Sequence, residues 1–192
     1  MEDLTKIPQG HCMKFASFDI NNMYSNIPTS ELTTILYEMC KKNDVEEKTT
    51  KDIMANAQTI LNLNYFQFKN TTYVQNDGLA MGAPTSSILF EVYLQHLENT
   101  TIPQLLEKHS VKGYFRYVDD ILLAYVDDIN NDIQNLLKEF NNLSPKLKFT
   151  VEEEQDNHIH FLDITITKNP KGLSFGIYRK PTTTDIIIPK DS

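Results

Sequence analysis

Two apolar runs of strand composition, Gly113–Val118 and Ile121–Val126, are separated by nothing except Asp119 and Asp120. So short a gap predicts a hairpin with both carboxylates at its tip. Any fold open to this chain must therefore hold two adjacent like charges at the end of an antiparallel pair. Adjacent carboxylates repel each other and are costly to desolvate. A partly buried turn rarely keeps them without a cation, so the pair marks a candidate site for a hard divalent metal.

The same four letters recur at Tyr125-Val126-Asp127-Asp128. There the following residues, Ile129, Ile133, Leu136, Leu137 and Phe140, repeat at helical spacing. Asp128 is expected to be a helix N-cap and Asp127 a favourable charge near the helix dipole. The first pair reads as chemical, the second as structural.

A chain of 192 residues suits one domain with a real core. It has no apolar run of about 18 residues and no charged-then-apolar leader, so neither a membrane span nor a secretory signal is expected. Cys12 and Cys40 make no framework pattern, and Cys40 falls on the apolar face of an expected helix. A reducing intracellular setting, nucleus or cytoplasm, is the expectation. The net charge of −8 sits awkwardly with nucleic-acid binding, which uses Lys and Arg, although an acidic metal site adds negative charge that cations offset.

The principal elements expected are a strand over 14–20, a long helix over 86–99, hairpin strands over 113–126, a helix over 129–142 and a strand over 146–151. A helix opens at Pro28-Thr29-Ser30, with Leu32, Ile35, Leu36, Met39 and Cys40 on its apolar side, and another starts near Thr50. Hairpins are expected around Asn70-Thr71 and between 159–167 and 173–179. The order is β-α-β-β-α-β, an α+β split sandwich with helices on one face of an antiparallel sheet. In it the first strand neighbours the central hairpin, so Asp19 should meet Asp119 and Asp120. Three such carboxylates suit a pair of magnesium ions clamping the attacking and leaving oxygens of a phosphoryl transfer.

Three stretches carry a family likeness. Ser17-Phe18-Asp19-Ile20-Asn21-Asn22-Met23-Tyr24 resembles motif A of reverse transcriptases. Gly78-Leu79-Ala80-Met81-Gly82-Ala83-Pro84-Thr85-Ser86 resembles motif B, and Phe115-Arg116-Tyr117-Val118-Asp119-Asp120 resembles motif C. Phe161–Ile166 and Tyr178-Arg179-Lys180-Pro181 are similar to the end of the palm in Penelope-like retroelement enzymes. The likeness runs from about residue 14 to 185 with motif order and spacing in agreement.

The resemblance implies a βαββαβ polymerase palm and an RNA-directed DNA polymerase, a nucleotidyltransferase that adds dNTPs to a primer 3′-hydroxyl by a two-metal mechanism. It implies catalytic roles for Asp19, Asp119 and Asp120, and metal ligation by these three and the Ile20 carbonyl. Two Mg²⁺ ions are implied, with Mn²⁺ able to substitute. Asn21, Asn22, Met23, Tyr24, Met81 and Gly82 would contact the nucleotide, with Tyr24 as steric gate. Packing on the sheet is the plainer alternative for Tyr24, and an ordinary turn for Gly82. Tyr117, Phe161 and Leu162 would touch primer or template. The implied partners are an RNA template, a DNA or RNA primer and dNTPs, with no membrane.

Some features depart from the family pattern. Ser87 stands where many relatives have proline. No lysine is cleanly placed as the acid for departing pyrophosphate; Lys146 and Lys148 are candidates, with solvated strand-edge lysines the plainer reading. His158-Ile159-His160 puts two imidazoles on one side of a strand, a weak metal pattern against an exposed strand start. Only 18 residues precede Asp19. The expected organisation is one domain over 1–192: palm core at about 14–42 and 79–156, a partial fingers-like insertion at 43–78 and a C-terminal hairpin at 157–181. Upstream fingers, thumb and any endonuclease would belong to a longer polyprotein. The competing functions are an inactive retroelement-derived remnant acting as a binding or assembly module, and a nucleotidyl cyclase on the same core.

Overall fold

The computed structural model describes residues 13–127 and 132–180. In chain order it has β1 (Met13–Asn21), α1 (Thr29–Lys42), α2 (Glu47–Asn62), β2 (Tyr65–Phe68), β3 (Thr71–Val74), α3 (Ser86–Thr100) and α4 (Ile102–Lys108). Then come β4 (Val111–Tyr117), β5 (Asp120–Val126), α5 (Ile133–Phe140), β6 (Lys148–Glu153), β7 (His158–Phe161), β8 (Ile164–Asn169) and β9 (Gly172–Ile177). The main sheet has the order β4-β5-β1-β6, antiparallel throughout. This is the expected split βαβ sandwich, with the first strand between the hairpin and the last strand.

Strand alternation sorts β1 and β5 onto two faces. Ala16, Phe18, Ile20, Ile121, Leu123 and Tyr125 pack with α1, α3 and α5 in the main core, where Phe140 sits edge-to-face on both Phe18 and Phe149. Met13, Phe15, Leu122 and Ala124 point the other way, onto Ile159 and Ile166 of the small β7-β8-β9 sheet. That second sheet covers only part of the far face. The rest stays open, and there Asp19 and Asp120 emerge.

Several local expectations shift. The aspartate hairpin turns on Val118-Asp119, and Asp120 is the first residue of β5. The two carboxylates are therefore not both at the tip: the strand starts one residue earlier because Asp120 pairs with Tyr117 on one side and Asp19 on the other. The last principal helix starts at Ile133, where the Asp132 carboxylate accepts a 2.9 Å bond from the Gln134 N–H. Asp128 and Ile129 lie outside the described residues. Asp127 is ion-paired at 2.5 Å with Lys14 on β1, and so serves the sheet. The expected strand 159–167 is broken by a turn at Leu162-Asp163, with Leu162 at φ 54°. The reversal puts Ile159 opposite Ile166, so both cover the same apolar patch; sequence alternation alone is blind to such a fold-back. The C-terminal element is thus a three-stranded sheet. The β2–β3 turn falls on Lys69-Asn70, both at positive φ, one residue before the expected place.

Candidate active site

Asp19 and Asp120 are direct partners in the β1–β5 ladder. Antiparallel partners share a face, with Cβ atoms about 4.5–5.5 Å apart. Residue parity puts both on the face turned from the helices. Tyr117, opposite Asp120 on β4, shares that face and is exposed. Ile20 alternates inward, its side chain buried in the main core, which leaves only its backbone for the site.

Asp119 sits in the turn beside Val118, whose φ is 56°. A β-branched residue in the left-handed region is strained. Arg116 holds the strained turn. Its guanidinium donates to the Val118 carbonyl at 3.0 Å, to Glu98 at 2.6 and 3.0 Å, and to Glu91 at 2.9 and 2.8 Å. Glu91 and Glu98 stand two turns apart on α3, so one helix face grips the hairpin. Tyr114 donates to Glu98 at 2.9 Å, closing the network. The carboxylates hold the Arg116 proton tightly, Glu98 most of all.

The carboxyls of Asp19 and Asp120 are both pushed above the usual carboxylate range, first by desolvation and next by repulsion from Asp119. Asp19 adds to the repulsion on Asp120, while Lys180 opposes the shift on both. Among the described residues, no three His, Cys, Asp or Glu side chains form a ready-made metal cage. The donor set nonetheless fits a divalent cation. Mutually repelling carboxylates want a counter-charge, and magnesium takes few protein oxygens, completing its shell with water and phosphate.

Beyond β1 the chain turns through Asn22 (φ 49°). The Asn22 carbonyl accepts from the Asn26 N–H at 3.2 Å and the Ser25 hydroxyl at 3.1 Å, and the Asn21 carbonyl accepts from the Asn26 amide at 3.1 Å. Met23 and Tyr24 pack partly against the core, Tyr24 edge-to-face on Phe90 with centroids 5.7 Å apart. The plainer packing role is therefore real for Tyr24, and leaves its half-exposed remainder free to meet a ligand. The loop 77–86 is sewn to this turn: Leu79 N–H donates to the Tyr24 carbonyl at 2.7 Å. A Cβ on Gly78, at φ 85°, would lie 2.3 Å from the Ser25 carbonyl oxygen. Past this seam, Met81 and Gly82 (φ 87°) are exposed at the loop crest.

Asp77 anchors the same loop. One carboxylate oxygen accepts from the N–H and hydroxyl of Thr29 at 2.9 and 2.7 Å and from the Gly78 N–H at 2.9 Å; the other pairs with Lys146. It caps α1 from 48 residues away, where Pro28 offers no side-chain cap. Lys146 is thereby committed to Asp77, and Lys148 donates to the Asn141 carbonyl at 3.3 Å. His158 and His160 do share a side, ring centroids 5.7 Å apart, but His160 bonds Thr165 at 2.9 Å and stacks on Tyr178.

A cleft of about 430 Å³ opens beside the carboxylates. Ser17, Asp19, Asp120, Thr150 and Glu152 form its floor, and His160, Phe161, Leu162, Asp163 and Lys180 its opposite wall. Phe161 and Leu162 thus line the same cleft as Asp19 and Asp120. Sequence reasoning missed Lys180, Glu152 and the Arg116–Glu91–Glu98 grip. Lys180 and Arg116 lie inside the very stretches that carry the likeness, which was the available signal; the glutamates carry none.

The sheet order and the helices on one face are those of an α+β polymerase palm. Residues 2–166 match the family described as reverse transcriptase (RNA-dependent DNA polymerase), and the chain belongs to that family. Its members are nucleotidyltransferases and generally use divalent metal ions. Among curated proteins no match is found. Among solved structures, apo telomerase from Candida tropicalis truncated of its C-terminal domain superposes with a TM-score of 0.64 at 12% identity, covering 84% of this chain and 35% of that one. Telomerase from Candida albicans in complex with the TWJ fragment of telomeric RNA gives 0.62 at 15% identity, covering 92% of this chain and 32% of that one. At such identities the likeness is one of fold, and the chain spans about a third of these structures' length. No described helix is long and apolar enough to cross a membrane.

Proposed function

We propose that this chain is the palm of an RNA-directed DNA polymerase that adds dNTPs to a primer 3′-hydroxyl on an RNA template. The observation that carries the reading is the Asp19–Asp120 register on the open sheet face, with Asp119 in the adjoining turn. Asp19, Asp119 and Asp120 would hold two Mg²⁺ ions, with Mn²⁺ as substitute, and the Ile20 carbonyl would add a ligand. The ions supply charge neutralisation and an activated 3′-hydroxyl when bound. The chain's own part is to position: the sheet fixes Asp19 against Asp120, and the Arg116 grip fixes the turn. Asn21, Asn22, Met23, Tyr24, Met81 and Gly82 would receive the nucleotide, with the Tyr24 ring against the sugar. Tyr117, Phe161 and Leu162 would line the primer–template path.

Palm core at 14–42 and 79–156 with a fingers-like insertion at 43–78 is the organisation that goes with this reading. Its 43–78 portion holds α2 and the β2–β3 ribbon, and β7 to β9 form the C-terminal element. The terminal stretches favour a Penelope-like retroelement origin, with further fingers, thumb or endonuclease segments in a longer polyprotein and a site of action in nucleus or cytoplasm.

The test is primer extension on an RNA template with dNTPs and Mg²⁺ or Mn²⁺, beside a thermal-shift titration with the same ions. Template-dependent extension that Asp119→Asn abolishes supports the reading. No incorporation together with no cation-dependent melting shift overturns it.

A further inference from the structure

We propose that the β2–β3 ribbon is a self-association surface, on which β3 of one copy pairs antiparallel with β3 of a second copy about a two-fold axis at Tyr73. The pairing does not depend on the polymerase reading. Lys69 and Asn70, both at positive φ, close the ribbon as a two-residue turn. Such a turn makes Phe68–Thr71 a hydrogen-bonded pair, and alternation makes Phe66–Tyr73 the next. The Gln75 N–H, donating to the Asn64 carbonyl at 2.8 Å, continues the series. The backbone groups of Thr72 and Val74 therefore point away from β2. Among the described residues, no backbone partner from outside the ribbon reaches them. On the other edge the Tyr65 N–H is already donated to the Leu63 carbonyl at 3.1 Å.

Every residue of β2 and β3 is exposed, on both faces of the ribbon. A two-stranded ribbon standing alone in water is marginally stable. Natural strand edges are guarded by charge, proline or a bulge. This edge has none of them: β2 and β3 hold no charged residue and no proline, and their register is unbroken. The whole chain carries a net charge of −8, so two copies repel each other. Residues 53–76 hold no Asp or Glu, and Lys69 is their single cation. An approach over this segment brings no carboxylates together, and the antiparallel two-fold puts the two Lys69 side chains at opposite ends.

The register is also self-complementary. With Thr72 bonded to Val74 of the second copy, and Val74 to its Thr72, Tyr73 stands opposite Tyr73 as a non-hydrogen-bonded pair. Phe66 already stacks on Tyr73 with centroids 5.4 Å apart and 18° between planes. The pairing extends that stack into a row of aromatic rings across the combined sheet. Single-stranded nucleic acid also stacks on such rings, but holding its phosphates takes several cations and the ribbon supplies one.

Sedimentation velocity of the full chain across a concentration series tests the pairing, which is small enough to fall in the weak, concentration-dependent class. Wild type should move from 22.2 kDa toward twice that mass as concentration rises. Val74→Lys sets a charge on the paired edge and should stay monomeric where wild type dimerises. Ile177→Lys, at an exposed apolar site on β9, should dimerise as wild type does. Tyr73→Cys, on the two-fold, should oxidise to a disulfide-linked dimer, and Gln67→Cys, on the outer edge of β2, should not. Circular dichroism checks that each variant is folded. A wild type that stays monomeric throughout, a folded Val74→Lys that associates as wild type does, or equal crosslinking at the two cysteine positions overturns this inference. So does a monomer that binds an oligouridine with an affinity lost in Tyr73→Ala, because the occupant is then nucleic acid.

Discussion

Asp19 and Asp120 face each other across two neighbouring strands, and both carboxyls are raised, first by desolvation and next by the charge of Asp119. A carboxyl whose folded pKa lies above its unfolded one binds protons more readily when folded. Stability then falls as pH climbs through the unfolded value toward the folded one, and the deficit persists above it. Asp120→Asn should therefore raise the melting temperature of the metal-free protein at neutral pH by roughly 1–3 °C. The gain should shrink below about pH 4, where the carboxyls are protonated. Mg²⁺ should stabilise wild type, by about 2.7 kcal/mol at a hundredfold excess over Kd. The doubly substituted Asp119→Asn, Asp120→Asn chain should show no such shift in a melting titration.

Tyr24 leans on Phe90 edge-to-face, a contact worth about 0.5–1.5 kcal/mol beyond its area. Tyr24→Ala should lower stability by at least that amount and increase ribonucleotide incorporation severalfold. Tyr24→Phe keeps the ring and should preserve discrimination. Single-nucleotide extension with dNTP and rNTP, read alongside denaturation curves, separates the two effects; unaltered sugar choice in Tyr24→Ala would sink the gate.

Asp77 works in the opposite sense to Asp19 and Asp120. Burial pushes its carboxyl up, but Lys146, Thr29 and Gly78 together hold it well below the usual range. A depressed carboxyl contributes stability that is present above the unfolded value and lost as pH falls toward the folded one. Asp77→Ala should cost about 1–2 kcal/mol at pH 7, as for other helix caps. The difference from wild type should vanish progressively below about pH 4 in acid-unfolding curves.

The two glycines of the same loop separate steric fit from conformational preference. Gly78→Ala meets the Ser25 carbonyl at a distance no Cβ tolerates, so loop and turn must part. It should destabilise by about 3 kcal/mol or more, among the severe point substitutions. Gly82→Ala has open space around it and should cost only the left-handed preference, about 1 kcal/mol. Equal losses in urea midpoints would refute this account.

Val118 is strained and Arg116 restrains it. Val118→Gly should stabilise the fold by about 1 kcal/mol by removing the left-handed penalty. Arg116→Lys loses the fork that binds Glu91, Glu98 and the turn together, and should cost about 2–4 kcal/mol, since it leaves partly buried carboxylates without a full partner. Chemical denaturation of the two variants checks both signs.

Alternation and helical spacing are local properties, and through them the order of elements, the βαββαβ topology and the meeting of Asp19 with the central hairpin were legible in the residues. Burial parity alone puts Asp19 and Asp120 on one face once the sheet order is known. What lay beyond reach depended on contacts between distant residues or on reversals within apolar runs. The turn at Leu162-Asp163 hides in an unbroken strand-like stretch, and the cap on α1 comes from Asp77 rather than from the preceding residue. α5 starts at Ile133 under an Asp132 cap, and Asp127 pairs with Lys14 on a neighbouring strand. Lys180 lines the cleft beside Asp19 and Asp120, residues distant from it in sequence. Sequence periodicity determined which faces are apolar; tertiary packing decided which charged groups meet, because an ion pair or cap needs proximity in space and carries no periodic signature along the chain.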